Sequence, residues 1–86
     1  MNTFKLTVSS PDGNKFNGDA DMLTVRGIEG DLAVMAGHIP FITTLKPCDC
    51  TIYLPDGTEK VGSVDGGLLT VSDKSVTLLS GSFNWK

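Results

Sequence analysis

"CTIYLPDGTEKVGSV", from Cys50 to Val64, decides the fold class. Its first five residues alternate, with Cys50, Ile52 and Leu54 on one side and Thr51 and Tyr53 on the other. A period of two belongs to a strand, because successive side chains of an extended chain point to opposite faces. Pro55-Asp56-Gly57 follows as a turn. Proline presets φ, aspartate bonds its own backbone, and glycine tolerates positive φ. A second extended run ends near Val64, so the stretch reads as a β-hairpin with its tip at Pro55–Gly57.

The same pattern recurs in both directions along the chain. "FKLTV" puts Phe4, Leu6 and Val8 on one face, and "SVTLLS" puts Val76 and Leu78 together. Valine, threonine, isoleucine and phenylalanine enrich these runs, as strands favour. After the first "PDG" (Pro11–Gly13), "NKFNGDADMLTVRG" reads as a short strand and then a longer one from about Asp19 to Arg26. "GLLTVSDKSVTLL" is apolar on its alternating faces and reads as core. The glycine pair Gly66–Gly67 marks a bulge or a close backbone approach. No long stretch keeps a 3.6-residue apolar stripe free of glycine. The expectation is an all-β sandwich or barrel in a single domain over residues 1–86, with no linker. The two "PDG" turns have different flanks and count as ordinary turn chemistry rather than a repeat.

Composition narrows the function. A chain of 86 residues buries about 60–65% of its unfolded surface, which supports one modest core and little room for a deep catalytic pocket. Net charge is −3, and the seven basic residues are scattered. Nucleic acid requires clustered lysine and arginine, so nucleic-acid binding is not expected, nor is attraction to anionic lipid. No apolar run approaches the roughly 18 residues of a membrane helix. The opening "MNTFKLTVSS" lacks a charged-then-apolar leader pattern, which reads as an unexported protein.

Few residues could carry chemistry. Cys48 and Cys50 share a face if their segment is a strand. They read as buried small hydrophobes in a reducing compartment, with a redox pair or a metal site shared with His38 as the alternatives. The metal reading lacks a fourth ligand and the usual zinc spacing. His38, the sole histidine, has no nucleophile tied to it by a motif and reads as structural or interfacial. Glu29 and Asp31 flank Gly30 on a tight turn. They would point outward, as a solvated turn or as a charged contact for a partner, rather than face each other across a cleft. Pro40 interrupts a strand-like run. That suits an edge strand or strand start, from which Phe41 or Ile42 could dock a partner. No phosphate-cradling loop is present. The residues alone stop at an acidic all-β interaction module without visible chemistry. A free-standing binder of peptide or sugar and a small enzyme using Glu29, Asp31 or His38 remain as other classes.

"EGDLAVMAGHIPFITTLKP", Glu29–Pro47, goes further, because it resembles the signature of the epsilon subunit of F-type ATP synthase in its N-terminal β-sandwich domain. That family reads E-G-E-L-G-I, then P-G-H, an apolar step containing proline, a threonine-bearing strand and K-P-G. Glu29, Gly30, Asp31 and Leu32 match the first part. Gly37, His38, Pro40, Thr43, Lys46 and Pro47 match the second. "FKLTVSSPDG" with Phe16 and Gly18, and "GGLLTVSDKSVTLLS", extend the match from about Phe4 to Leu79. Ala33, Ala36 and Cys48 depart from the pattern, where glycine, proline and glycine are usual.

The resemblance implies an all-β fold, a flattened β-sandwich or barrel of about ten short strands. It implies a non-catalytic subunit of the rotor's central stalk, coupling the gamma subunit to the membrane c-ring during ion-driven ATP synthesis. Such a subunit is peripheral, on the cytoplasmic face of the cell membrane, and uses no cofactor. By matching position, Glu29 and Asp31 are expected at the c-ring loops, and Ser10, His38, Pro40, Phe41 and Thr43 at gamma. The family continues into a helical hairpin that regulates hydrolysis. The sequence stops at Lys86, so the hairpin's inhibitory and nucleotide-sensing roles are not carried over.

Overall fold

The structure, a computed structural model, describes residues 3–37 and 39–86. These residues contain ten strands and no helix: β1 (Phe4–Ser10), β2 (Gly13–Ala20), β3 (Met22–Gly27), β4 (Gly30–Met35), β5 (Phe41–Leu45), β6 (Cys48–Tyr53), β7 (Glu59–Val64), β8 (Gly67–Val71), β9 (Ser75–Leu79) and β10 (Phe83–Trp85). The Pro55–Gly57 turn joins β6 to β7 as expected. Thr58 donates from both its N–H and its hydroxyl to Asp56 Oδ1, at 2.9 and 2.6 Å, closing an Asx turn.

The strands follow one hydrogen-bonded path, β10-β7-β6-β3-β5-β8-β9-β1-β2, with β4 attached to β3 off that path. The join between β3 and β5 is a single residue pair, Gly27↔Leu45. There the sheet folds into two layers, β5-β8-β9-β1-β2 against β4-β3-β6-β7-β10. Their inward rows interleave in one core that includes Leu6, Val8, Leu23, Val34, Ile52, Leu69, Val76 and Leu78, all essentially inaccessible to solvent. The period-two readings of Phe4, Leu6 and Val8, of Cys50 and Ile52, and of Val76 and Leu78 hold, because each set is buried. Leu54 lies outside the strands and is half-buried.

Two readings need correction. A continuous strand from Asp19 to Arg26 does not form: β2 runs to Ala20 and β3 starts at Met22. Asp21 donates its N–H to the Tyr53 carbonyl at 2.7 Å, and here the chain leaves β1's layer for β6's. The short strand read in "NKFNGDA" does form, as part of β2, paired with β1 through a register slip between Val8 and Ser9. "GLLTVSDKSVTLL" is core only on every second residue. Leu69, Val71, Val76 and Leu78 are buried, while Leu68 and Leu79 face outward. Gly67 is a close approach as expected. It takes φ +153°, and a Cβ there would collide with the Leu79 carbonyl oxygen.

Candidate interaction site at the β3–β4 tip and the β5 face

Ile28 and Glu29 form the tip joining β3 to β4, between the paired residues Gly27 and Gly30. No described residue other than glycine takes positive φ, so the reversal falls on Gly30 at φ +125°. The tip is not a loose loop. Ile28 donates its N–H to the Thr44 carbonyl at 3.1 Å, and Lys46 donates to the Arg26 carbonyl at 3.0 Å. The hairpin end is thereby braced on β5 and on the chain leading into β6.

The structure separates the two acids that the sequence placed together. Glu29 is exposed at the tip itself, beside Ile28, which is also exposed. Asp31 lies in β4 directly across from Arg26, whose Nε donates to Asp31 Oδ1 at 2.7 Å. That hydrogen bond, with the carboxylate's charge, pushes the Arg26 guanidinium's pKa further up. Asp31 therefore presents an ion pair to solvent, and Glu29 a charge with no ion-pair partner among the described residues.

Open grooves flank this hairpin on both sides. One, of about 450 Å³, lies between Gly27–Leu32 and Phe41–Thr43. It brings the hairpin tip next to the start of β5, so Glu29 and Asp31 border one depression with Phe41 and Thr43. The other, of about 740 Å³, is lined by Arg26, Asp31, Pro47, Cys48 and Asp49 among others. Here β6 has parted from β3, whose pairing with it stops at Thr24↔Thr51. The Cys48 thiol fills the gap, accepting from the Arg26 N–H at 3.4 Å and lying 3.8 Å from the Arg26 carbonyl. Cys50 is fully buried, and burial raises its thiol pKa to about 12. No cluster of three histidine, cysteine or acidic side chains suited to a metal occurs among the described residues. His38, and with it the reading of a shared metal site, lies outside them.

The residues expected at gamma are distributed as follows. Pro40 is exposed immediately before β5. Phe41 and Thr43 sit in rows whose next members, Val71 and Leu69, are buried. They thus lie on the inward side of an edge strand, Phe41 partly exposed and Thr43 half-buried. Ser10 ends β1 with its hydroxyl buried and unpartnered among the described residues. His38 is not described.

The outward rows of the same layer are the part that sequence reasoning missed. They run Ile42-Thr70-Thr77-Thr7 and Thr44-Leu68-Leu79-Ser9 across β5, β8, β9 and β1. These rows hold no charge, although a fifth of the chain is charged. They expose Ile42 at 67%, Leu79 at 46% and Leu68 at 39%. A usable signal was present in the Leu68-Leu69 and Leu78-Leu79 doublets. In a strand only one leucine of each doublet can face the core.

Comparisons with known proteins agree with this architecture. Residues 3–86 match the family model of the ATP synthase delta/epsilon chain β-sandwich domain. The ATP synthase epsilon chain of Psychrobacter sp. strain PRwf-1 is 42% identical over 80 residues, covering 93% of this chain and 58% of the relative. The epsilon chain of Bradyrhizobium sp. strain ORS 278 is 41% identical with the same coverage. The chain thus spans less than two thirds of the length of these relatives. Among solved structures, a chain of the Euglena gracilis mitochondrial ATP synthase OSCP/F1/c-ring assembly superposes with a TM-score of 0.92 at 22% identity, covering 96% of this chain and 53% of its own. A chain of the Tetrahymena thermophila mitochondrial ATP synthase central stalk and c-ring gives 0.80 at 16% identity, covering 95% and 66%. At those identities the structural likeness speaks for the fold. The family match over nearly the whole sequence carries the further conclusion that this chain belongs to the ATP synthase delta/epsilon β-sandwich family.

Proposed function

We propose that this domain is a coupling piece of the ATP synthase rotor stalk, holding the gamma subunit to the membrane c-ring during ion-driven ATP synthesis. The observation that carries the reading is the presence of two unlike adhesive surfaces on one braced scaffold. The acid-tipped hairpin at Ile28–Glu29 suits polar, basic loops, and the uncharged rows through Ile42, Leu68 and Leu79 suit a protein face.

In this reading Glu29 and the Arg26–Asp31 pair meet the c-ring loops. Ser10, His38, Pro40, Phe41 and Thr43 border the gamma contact, whose centre moves outward to Ile42, Leu68 and Leu79. Apolar residues supply most of such an interface's affinity, and rim charges set its orientation. Torque passes through the domain without bond chemistry; stiffness is what it contributes. The backbone bonds from Thr44 and Lys46 to the hairpin end serve that stiffness by tying the c-ring tip to the gamma-facing layer. The domain is peripheral, at the cytoplasmic membrane face, and it needs no cofactor.

The test is binding to purified gamma. Wild-type chain is expected to form a complex, with Phe41→Asp and Leu79→Asp each weakening it. Wild-type chain that leaves gamma unbound would remove this reading.

A further inference from the structure

Leu79 faces outward, and Ser80, the next residue, faces in. Ser80 is the one buried polar residue among those described, with 7% of its surface exposed. It opens the link from β9 to β10, Ser80–Ser82, by which the chain leaves β1's layer for β6's. Asp65 and Gly66 form the link from β7 to β8, by which the chain crosses the other way.

The Ser80 hydroxyl ties these two links together. It lies 2.7 Å from the Gly66 carbonyl oxygen, 2.8 Å from the Ser82 carbonyl oxygen and 3.1 Å from Asp65 Oδ1. A hydroxyl has one proton, so the three acceptors share a single donor. The Ser82 N–H donates back to the hydroxyl at 3.3 Å, and the Asp65 N–H donates to the Ser82 carbonyl at 3.4 Å. On its other side, the Ser80 N–H donates to the Ser9 carbonyl at 3.0 Å, carrying the β9–β1 ladder one step past Leu79. Gly67 completes the junction, because the Leu79 carbonyl oxygen sits where a Cβ would be.

All of these bonds lie at the end of one outward row, Thr44-Leu68-Leu79-Ser9. Leu68 follows the Gly66–Gly67 pair, and Leu79 adjoins Ser80. A surface whose shape is fixed in advance loses less freedom on binding. We propose that Ser80 is a positioning residue for the gamma contact, its buried hydroxyl holding Leu68 and Leu79 side by side in the geometry the partner meets. This rests on the coupling role proposed above. Without the hydroxyl, the Gly66 and Ser82 carbonyls lose this donor and the two links are no longer joined through it. The same β8–β9 hairpin carries a comparable clip beyond its far pair, Val71↔Val76. There the Ser72 hydroxyl donates to the Ser75 carbonyl at 2.9 Å and accepts from the Ser75 N–H at 3.0 Å. That clip is remote from the leucine pair and serves as the control.

Calorimetric titration of purified gamma into the chain tests this, at a temperature where melting curves show each variant folded. Ser80→Ala is expected to lower gamma affinity about fivefold to tenfold, and Ser72→Ala to stay within about twofold. In a chain carrying Leu68→Ala and Leu79→Ala, adding Ser80→Ala is expected to cost no more than about a further twofold. A residue that acts through those leucines loses its effect once they are gone. The same drop in both backgrounds, or an equal loss in Ser72→Ala, means that Ser80 serves general stability and overturns the proposal. Wild-type affinity in Ser80→Ala overturns it too and leaves the coupling role standing. Wild-type chain that leaves gamma unbound overturns both. If Ser80→Ala unfolds, Ser80→Cys, which keeps the volume but is a weak donor, takes its place in the cycle. Unfolding of both makes Ser80 structural alone and overturns positioning.

Discussion

The two layers have the same pleat and share one core, yet they turn different surfaces outward. Behind β4, β3 and β6 the outward charges Arg26, Asp31 and Asp49 are each paired locally, beside an uncharged row of Ala33, Thr24 and Thr51 and a row of Met35, Met22 and Tyr53. Arg26 holds Asp31, and Lys86 Nζ holds Asp49 Oδ1 at 2.8 Å. Behind β5, β8, β9 and β1 the middle rows are uncharged, with threonines between exposed leucine and isoleucine side chains. Charges that satisfy one another locally give a contact orientation more than affinity. A face of threonine and aliphatic carbon has no internal partner and gains by being covered. What separates the two faces is charge that is paired where it occurs on one and absent from the middle rows of the other.

Within the uncharged layer the contrast narrows to single residues. Leu69 is fully buried, and its neighbour Leu68 is exposed. Leu69→Ala should cost about 2–5 kcal/mol, the usual range for emptying a buried leucine site, while Leu68→Ala should stay within about 0.5 kcal/mol. Denaturant unfolding of both variants checks this. Equal losses would break the assignment of inward and outward rows.

The next effect concerns Cys50 in the charged layer. Its thiol pKa is raised by burial to about 12, from roughly 8.5 in an unfolded chain. Between those values the folded form keeps a proton that the unfolded form has lost. The stabilisation is therefore complete below about pH 8.5 and drains away as pH rises, by up to about 1.4 kcal/mol per pH unit. Melting curves from pH 8 upward should show this slope set in above about pH 8.5, and Cys50→Val should remove it. A thiol reagent near pH 8 should label half-buried Cys48 and spare Cys50.

Smaller effects compare the two adhesive surfaces. Leu79→Asp places a charge in the middle of the uncharged rows and should lower gamma affinity about tenfold with little change in fold stability. Titration calorimetry of the variant measures it. Glu29→Gln should weaken c-ring association only a few-fold, and that loss should shrink as salt rises, since exposed charges are screened over about 10 Å at 0.1 M. A salt-independent loss would mean that the tip is gripped by shape rather than charge.

Much of this was legible in the residues. Alternation in "FKLTV", "CTIYL" and "SVTLL" is a local property, and each strand's buried face followed from it. The Pro55–Gly57 turn and the close approach at Gly67 were equally local. The Asp21 break was not, because it depends on a bond to Tyr53 from the opposite layer. The fate of Asp31 was not legible either. Two residues from Glu29 it looked like a second tip acid, and only the register to β3 sets it against Arg26.

The all-β class, the hairpin turns and the family are legible in the residues alone, because turn chemistry, period-two alternation and a linear motif are all written within short windows. Which layer each strand joins, which leucine of each doublet faces out, and that Asp31 meets Arg26 were settled only by the folded chain. Those outcomes depend on pairings between residues distant along the chain. Arg26 with Cys48, Gly27 with Leu45 and Leu68 with Leu79 are such pairings, and no local window contains both partners.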